Sequence, residues 1–196
     1  MNKQDYRQEL QKRIRALSDR ELGALSSDIS ETILLSKEWK NAPCLLAYLS
    51  FSGDISLDDL IRKSLSAGKD VYVPRIDGRG TMTFRKITDL SPASLELNRW
   101  NIREPLSSAE PFVPEQEREV LLLVPGLGFT IEGKRMGRGG GYYDRFLEWI
   151  EGKCPFVSMG IAWKGNLLPE LPAEPHDRPV SRICCEREIL KCQPLN

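Results

Sequence analysis

The chain alternates between stretches with one apolar face and short runs that are apolar throughout. Near the N-terminus, the pattern predicts a polar helix over Lys3 to Arg15 and a second helix from about Asp19 to Lys37, with capping-box spacing at Ser18 and Glu21. In the second helix, apolar residues recur every three or four positions, at Leu22, Leu25, Ile29 and Ile33. Both helices are typical of a layer that packs against the rest of a fold.

Short apolar runs predict buried strands. These runs are Cys44 to Leu49, Val71 to Pro74, Val120 to Val124 and Phe156 to Trp163. A helix predicted from Ser56 to about Ala67 joins the first two runs, which is the order of a βαβ unit. The pattern therefore predicts an α/β fold with a parallel sheet, whose ligands bind beyond the carboxyl ends of the strands.

The remaining segments are less regular. Thr81 to Ile87 predicts an antiparallel or edge strand, whereas Leu90 to Arg118 is rich in proline and serine and predicts irregular structure. A further helix is predicted from Tyr142 to about Glu151. Val180 to Leu190 predicts one last strand, in which Cys184 and Cys185 belong to the core.

The composition is that of an ordinary globular protein. The 196 residues are 40% hydrophobic and 29% charged, which favours a single domain over residues 1–196. Basic and acidic residues number 28 each, which argues against a general nucleic-acid binder. We find no signal peptide and no run long enough to span a bilayer, so we expect a cytoplasmic protein without a membrane partner. The 5 cysteines form no Cys-x-x-Cys pair, which argues against a disulfide framework.

A glycine-rich segment carries the strongest chemical signal. It follows the apolar run Val120 to Val124, contains Arg135 and Arg138, and precedes the helix that begins at Tyr142. A strand, a glycine loop with arginines and a helix N-terminus together favour phosphate binding. The segment lacks the Gly-Lys-Ser/Thr of a P-loop, and tyrosine at position 142 replaces the third glycine of a dinucleotide fingerprint.

Several charged residues allow two interpretations. Asp144 is simply favourable in the first turn of a helix, but it could also hold Mg²⁺ together with phosphate oxygens. Asp177 could be a second carboxylate at such a metal, or ordinary loop polarity beside His176. Lys3 and Arg7 lie four residues apart on one helix face, where solvated charge is the default interpretation.

The glycine-rich segment resembles the signature of a known family. Val-Pro-Gly-Leu-Gly-Phe from Val124 and Gly-Lys-Arg-Met-Gly-Arg-Gly-Gly-Gly-Tyr-Tyr-Asp-Arg-Phe-Leu from Gly133 are similar to the 5-formyltetrahydrofolate cyclo-ligase family. Other matching positions are Lys3 with Arg7, Tyr48-Leu49-Ser50 with Asp54, Trp100-Asn101-Ile102-x-Glu104-Pro105, Gly160-Ile161-Ala162-Trp163, and Asp177. The resemblance thus extends along nearly the whole chain.

The resemblance implies both a fold and an activity. The fold would be a three-layer α/β/α architecture of the sugar-isomerase and CoA-transferase type, with a mostly parallel central sheet. The activity would be an ATP- and Mg²⁺-dependent conversion of 5-formyltetrahydrofolate to 5,10-methenyltetrahydrofolate, with release of ADP and phosphate. The partners would be these small molecules, and we expect a monomer.

The resemblance also implies a role for each matching residue. ATP would contact Lys3, Arg7, Arg135, Met136, Gly137, Arg138, Gly139, Gly140, Gly141, Tyr142 and Tyr143. The folate would contact Leu49, Asp54, Arg138, Gly139, Gly140, Gly141 and Tyr142. Asp144 and Asp177 would hold Mg²⁺, and Arg138 and Tyr142 are the candidate catalytic residues. Phe51 and Trp100 are either further ring contacts or plain core and rim aromatics.

Some positions depart from the family pattern, and other functions remain open. Thr130, Gly140 and Ser181 replace residue types that are common in the family, which bears on substrate affinity more than on activity. One alternative is a paralogue that binds nucleotide or folate without turnover. Another is a sugar-phosphate isomerase or CoA-transferase, which needs a carboxylate nucleophile or base, and the glycine loop offers only Asp144 for that role.

Overall fold

The helices of the protein follow the predicted periodicity closely. The computed structural model describes residues 2–51, 53–78, 80–98 and 101–193, so Trp100 lies outside the described residues. Helices α1 to α5 are Lys3–Arg15, Asp19–Leu35, Lys37–Asn41, Asp58–Ser66 and Tyr142–Ile150. Helix α2 ends two residues before the predicted end, because Ser36 adopts an extended backbone and its side chain caps α3 by accepting a hydrogen bond from Trp39 N.

A mostly parallel sheet forms the centre of the fold. Strands β1 to β11 are Cys44–Leu46, Asp70–Gly78, Thr81–Ile87, Leu95–Leu97, Arg103–Pro105, Val120–Val124, Gly128–Phe129, Arg135–Met136, Phe156–Ala162, Arg182–Cys185 and Glu188–Lys191. Seven of them form one sheet in the order β11-β10-β9-β6-β1-β2-β3. The five inner strands run parallel to one another, and the edge strands β3 and β11 pair antiparallel with β2 and β10. The predicted parallel sheet, the βαβ unit and the antiparallel edge strand are therefore confirmed.

Three segments differ from their predicted structure. The run predicted as one strand from Val180 to Leu190 is an antiparallel pair, β10 and β11, joined at Glu186 with φ +53°. The stretch Leu90 to Arg118, predicted to be irregular, contains the short antiparallel pair β4 and β5. Strand β1 was predicted to reach Leu49 but ends at Leu46, and Ala47, Tyr48 and Leu49 after it are buried.

Alternating side chains of the sheet pack against helices on both faces. In β6, Leu121 and Leu123 share a buried cluster with residues of α2 and α4, including Ile29 and Leu60. Val120, Leu122 and Val124 point the other way and share a cluster with Phe146, Leu147 and Ile150 of α5. The predicted three-layer α/β/α arrangement is therefore confirmed. The predicted burial of Cys184 and Cys185 is confirmed as well.

The ring of Phe129 joins the glycine-rich segment to the sheet. Phe129 in β7 is fully buried. A Cβ atom added at Gly126 would lie 2.6 Å from this ring, and one added at Gly160 in β9 would lie 2.4 Å from it. The two glycines thus make the space that the ring fills, and the pairing of β7 with β8 then holds Arg135 in place. Among the described residues, none of the helices combines the length and apolar character needed to cross a membrane.

We predict that Gly160→Ala destabilises the protein by about 1–3 kcal/mol, because the added methyl group would overlap the fully buried ring of Phe129. The matched control is Gly23→Ala on the exposed side of α2, where an added Cβ meets nothing within 4 Å. The control should be more stable by about 0.4–1 kcal/mol, since alanine favours the helix. Urea unfolding measures both, and equal stabilities of the two variants would contradict the role given to the Phe129 ring.

Candidate active site

A large open cavity lies beyond the carboxyl ends of the parallel strands. Its volume is about 1010 Å³, at the upper end of the range of small-molecule sites. Leu49 follows β1, Pro125 and Gly126 follow β6, and Trp163 follows β9, and all of them line the cavity. The position agrees with the expectation for ligand sites in open α/β sheets.

The structure brings the candidate site residues together around this one cavity. They come from α1, from the segment after β1, from the glycine loop and from the loop before β10. The lining includes Lys3, Arg7, Leu49, Phe51, Asp54, Arg135, Met136, Gly137, Arg138, Gly139, Gly140, Gly141, Tyr142, Tyr143, Asp144 and Asp177. Their individual roles remain predictions, but residues far apart in the chain do share one site.

The glycine loop leaves backbone groups available to a ligand. Gly139 and Gly141 have φ values of +102° and +63°, which disfavour residues with a Cβ atom. Gly141 is also the N-cap of α5, and no side chain caps the helix there. The first N–H groups of α5 therefore have no capping acceptor, and the partial positive charge of the helix N-terminus favours an anion at this end.

A buried ion pair links the hairpin β7–β8 to α5. Arg135 Nη2 donates to Asp144 Oδ1 at 2.6 Å, and the two side chains are 5% and 16% exposed. Asp144 Oδ1 also accepts a hydrogen bond from Arg178 N, which brings the chain next to Asp177 up to the same carboxylate. Arg7 Nε donates to Gly137 O at 3.0 Å and so ties α1 to the glycine loop.

A second ion pair crosses from the glycine loop to the segment after β1. Arg138 Nη2 donates to Asp54 Oδ2 at 2.5 Å. The same guanidinium lies 4.8 Å from the centre of the Phe51 ring, within the range of a cation–π contact. Phe51 is 44% exposed, so it is a rim aromatic rather than part of the core. Arg138 thus lies between the glycine loop and the residues predicted to contact folate.

A third ion pair joins α1 to the loop before β10. Lys3 Nζ donates to Asp177 Oδ2 at 2.7 Å, with both side chains largely buried. Partial burial raises the pKa of the Asp177 carboxyl, but hydrogen bonds from Lys3 and Glu174 N and the Lys3 charge outweigh it, so this pKa lies below its ordinary value. His176 is mostly exposed, and its Nε2 lies 3.2 Å from Glu174 Oε2 and 3.9 Å from Asp177 Oδ1.

The adjacent tyrosines take different positions at the start of α5. Tyr143 packs against the core cluster beneath α5, and its ring meets Phe84 edge to face. Its hydroxyl is buried with no partner among the described residues, and burial raises its pKa. Tyr142 is less enclosed, with the Arg145 guanidinium 5.4 Å from its ring centre. Both line the cavity, so Tyr143 belongs to the core and to the cavity wall at once.

The two aspartates fit a metal that is shared with phosphate. Among the described residues, Asp144 Oδ2 and Asp177 Oδ1 accept no hydrogen bond, so each carboxylate keeps one oxygen for a cation. No group of three or more His, Cys, Asp or Glu suited to a metal occurs in the described ranges. Mg²⁺ normally binds one or two carboxylates and takes its other ligands from phosphate and water. The pair is therefore suited to Mg²⁺ that arrives with a nucleotide.

Comparison with known proteins identifies the family. The sequence profile of the 5-formyltetrahydrofolate cyclo-ligase family matches residues 1–186. The chain belongs to the 5-formyltetrahydrofolate cyclo-ligase family. The mouse 5-formyltetrahydrofolate cyclo-ligase is 29% identical over 197 residues, which cover 94% of this chain and 93% of the relative. The Escherichia coli K12 enzyme of the same name is 29% identical over 183 residues, covering 92% and 98%.

A solved structure supports the same assignment. The structure of Aquifex aeolicus 5,10-methenyltetrahydrofolate synthetase has a TM-score of 0.81 and 26% identity, covering 100% of this chain and 95% of that one. The resemblance inferred from the glycine-rich segment is therefore confirmed.

The departures from the cyclo-ligase pattern lie mostly away from the cavity. Thr130 is fully buried and Ser181 bonds to Ser158, and neither lines the cavity. Gly140 does line it, and an added Cβ atom would lie 2.6 Å from the Tyr142 ring. At this position the Tyr142 ring therefore occupies the space that a side chain would need.

Sequence reasoning missed part of the cavity wall. Ile76 in β2, Met82 in β3 and Glu104 in β5 all line the cavity. Ile76 lies beyond the predicted end of its strand and Met82 lies within a predicted strand, and neither side chain has a polar group that would indicate a binding role. Glu104 belongs to the matched Trp-Asn-Ile-x-Glu-Pro segment, whose single carboxylate was the available clue.

We predict that Lys3→Met raises the pKa of the Asp177 carboxyl, because the variant loses a hydrogen bond and a positive charge. In the unmodified protein this pKa is lowered, so the carboxylate stabilises the fold above the ordinary Asp pKa near 3.9, and the effect is lost as pH falls through the native pKa. In the variant the loss should begin at a higher pH.

Carboxyl NMR titration measures this pKa directly. The matched control is Lys12→Met, on the exposed side of the same helix, which should leave the Asp177 titration unchanged. An unchanged Asp177 pKa in Lys3→Met would contradict the ion pair.

Proposed function

We propose that the protein catalyses the ATP-dependent conversion of 5-formyltetrahydrofolate to 5,10-methenyltetrahydrofolate, with release of ADP and phosphate. The observation that carries this proposal is the cavity itself, where a phosphate-binding loop meets the residues predicted to contact folate. Arg138 and Asp54 form the contact between the two parts. Membership of the cyclo-ligase family supports the same reaction.

The glycine loop and the cations around it bind the phosphates of ATP. Lys3, Arg7, Arg135 and Arg138 line one cavity with the open N-terminus of α5. Charge-assisted hydrogen bonds from such cations are worth on the order of 1.5–3 kcal/mol each. Gly137, Gly139, Gly140 and Gly141 carry no side chains, so the backbone can approach the phosphates closely. Met136, Tyr142 and Tyr143 complete the nucleotide contacts.

The reaction needs positioning more than a nucleophilic side chain. The formamide oxygen of the folate attacks the γ-phosphorus of ATP, and ADP leaves. The phosphorylated oxygen is now a good leaving group, so N10 attacks the formyl carbon, the ring closes, the N10 proton is released and phosphate departs. Phosphoryl transfer depends mainly on alignment and on neutralising charge. Arg138 and Tyr142 are the residues assigned to this point of contact, and Leu49 and Asp54 are assigned to the folate.

The carboxylates of Asp144 and Asp177 are suited to hold Mg²⁺, which would neutralise charge on the phosphates. Lys3 forms an ion pair with Asp177, and Arg135 forms one with Asp144. Phosphate oxygens are good acceptors for both cations, so bound nucleotide would give Lys3 and Arg135 a second acceptor, and Asp144 and Asp177 would be the residues that hold the metal.

The direct test is incubation with 5-formyltetrahydrofolate, ATP and Mg²⁺. We expect near-UV absorbance of the methenyl product to appear, and one ADP and one phosphate to form for each product molecule. Absence of product while ATP still binds would instead support a paralogue that binds without turnover.

Arg138→Ala should lower turnover by about 100-fold or more, because a cation at the transferring phosphate is lost. Its side chain is 43% exposed, so the effect on stability should be small. The matched control is Arg62→Ala, which removes another exposed arginine paired with an aspartate, on α4 and outside the cavity. Steady-state kinetics and thermal unfolding measure both variants, and turnover of Arg138→Ala equal to that of the control would remove Arg138 from the mechanism.

A further inference from the structure

Glu104 is a buried carboxylate that opens onto the cavity. The residue is 4% exposed and belongs to β5. Asn98 Nδ2 donates to Oε1 at 2.8 Å, and Ile76 N donates to the same oxygen at 3.3 Å. Among the described residues, Oε2 accepts no hydrogen bond, although it keeps some contact with solvent. One oxygen is thus fixed by the protein while the other is available to a ligand.

Unlike the other acidic residues of the cavity, Glu104 has no cationic side chain paired with it among the described residues. Asp54 forms an ion pair with Arg138, Asp144 with Arg135, and Asp177 with Lys3. Glu174 also lies 3.4 Å from Lys3 Nζ. No ion pair within the described ranges reaches Glu104. Burying a carboxylate without a cation is costly, so this arrangement fits a position where the ligand supplies the missing donors.

The wall around Glu104 is mostly apolar, and Arg103, which also lines the cavity, pairs with Asp58. Four apolar residues line the cavity together with Glu104. They are Pro74 and Ile76 of β2, Met82 of β3 and Ile102, which precedes β5. Apolar side chains can pack against a flat ring, and a carboxylate fixed among them can accept hydrogen bonds from N–H donors on one edge of that ring. In the folate substrate, the 2-amino group and N3–H of the pteridine ring are adjacent donors of this kind.

We propose that Glu104 recognises the aminopteridine ring of the folate, with Oε2 accepting hydrogen bonds from the 2-amino group and N3–H. This assignment rests on the proposed cyclo-ligase function. Asn98 acts as a positioning residue, because its amide holds Oε1 and so fixes the rotation of the carboxylate. Asp54 is the competing candidate for the same edge, but its Oδ2 already accepts from Arg138 and its charge is balanced.

The test compares two ligands by calorimetry without ATP, so that no turnover occurs. The ligands are 5-formyltetrahydrofolate and its analogue without the 2-amino group. The unmodified protein should prefer the parent by about 10- to 100-fold, as expected for hydrogen bonds to a charged group. Glu104→Gln keeps the size of the side chain and the Asn98 contact. It should bind the parent about 10- to 100-fold more weakly and prefer it over the analogue by less than about 3-fold.

The hairpin β4–β5 provides a matched control. Glu96 is directly opposite Glu104 in this pair, is 43% exposed and does not line the cavity. Glu96→Gln should keep the affinity and the preference of the unmodified protein. ATP affinity should be unchanged in both variants, which shows that they are folded. If Glu104→Gln fails to bind ATP, Glu104→Asp is tested in its place. The aspartate keeps the charge but is shorter by one methylene group, so its oxygens lie farther from the ligand. The Glu104→Asp variant should therefore also lose the preference for the parent ligand.

Three outcomes overturn the inference. Full preference for the parent ligand in folded Glu104→Gln or Glu104→Asp rules out the contact. Loss of the preference in Asp54→Asn, with Glu104→Gln unaffected, assigns the pteridine edge to Asp54. If the unmodified protein binds no 5-formyltetrahydrofolate and forms no methenyl product, the proposed function fails together with the inference. Product formation with an unaffected Glu104→Gln would refute only the inference.

Discussion

Ion pairs between distant segments hold the cavity in its shape. Arg135 with Asp144, Arg138 with Asp54 and Lys3 with Asp177 connect the glycine loop, α5, the segment after β1, α1 and the loop before β10. Of the six residues in these pairs, only Arg135 belongs to a strand, in the short β7–β8 pair. Arg135 with Asp144 and Lys3 with Asp177 are the more buried pairs, so an unpaired charge there would be costly, whereas the more exposed Arg138–Asp54 pair contributes less to stability. These pairs therefore fix where the cations of the cavity lie.

The sheet determines where this charged network can form. The parallel strands end on one side of the molecule, and the loops that follow them meet there. The Phe129 ring fills the space left by Gly126 and Gly160, and it keeps the β7–β8 hairpin against the sheet. Glu104 belongs to a different wall of the cavity, with several apolar neighbours and, within the described ranges, no ion pair of its own, since Arg103 beside it pairs with Asp58. The cavity thus combines a charge-balanced wall suited to phosphate and metal with an apolar wall that carries one acceptor.

Much of the fold was predictable because periodicity is a local property of the chain. The bounds of α1, β3 and β6 agree with the pattern of apolar and polar residues. The predictions failed where the pairing between strands determined where a strand begins or ends. The run Val180 to Leu190 divides into two strands at Glu186, which carries no turn signal in the sequence. Strand β1 ends at Leu46, but the apolar run continues to Leu49. Residues after the strand are apolar because they too are buried, so an apolar run alone does not show where a strand ends.

The sequence by itself determined the chemistry available to the site. The glycines, Arg135, Arg138 and Asp144 lie within one short segment, so a phosphate-binding loop and its family could be inferred without coordinates. Only the tertiary structure decided which charges meet. Arg138 and Asp54 are 84 residues apart, and Lys3 and Asp177 are 174 apart. The unbalanced charge of Glu104 was equally invisible, because burial and ion pairing depend on how the whole chain packs, whereas sequence patterns report only on neighbours.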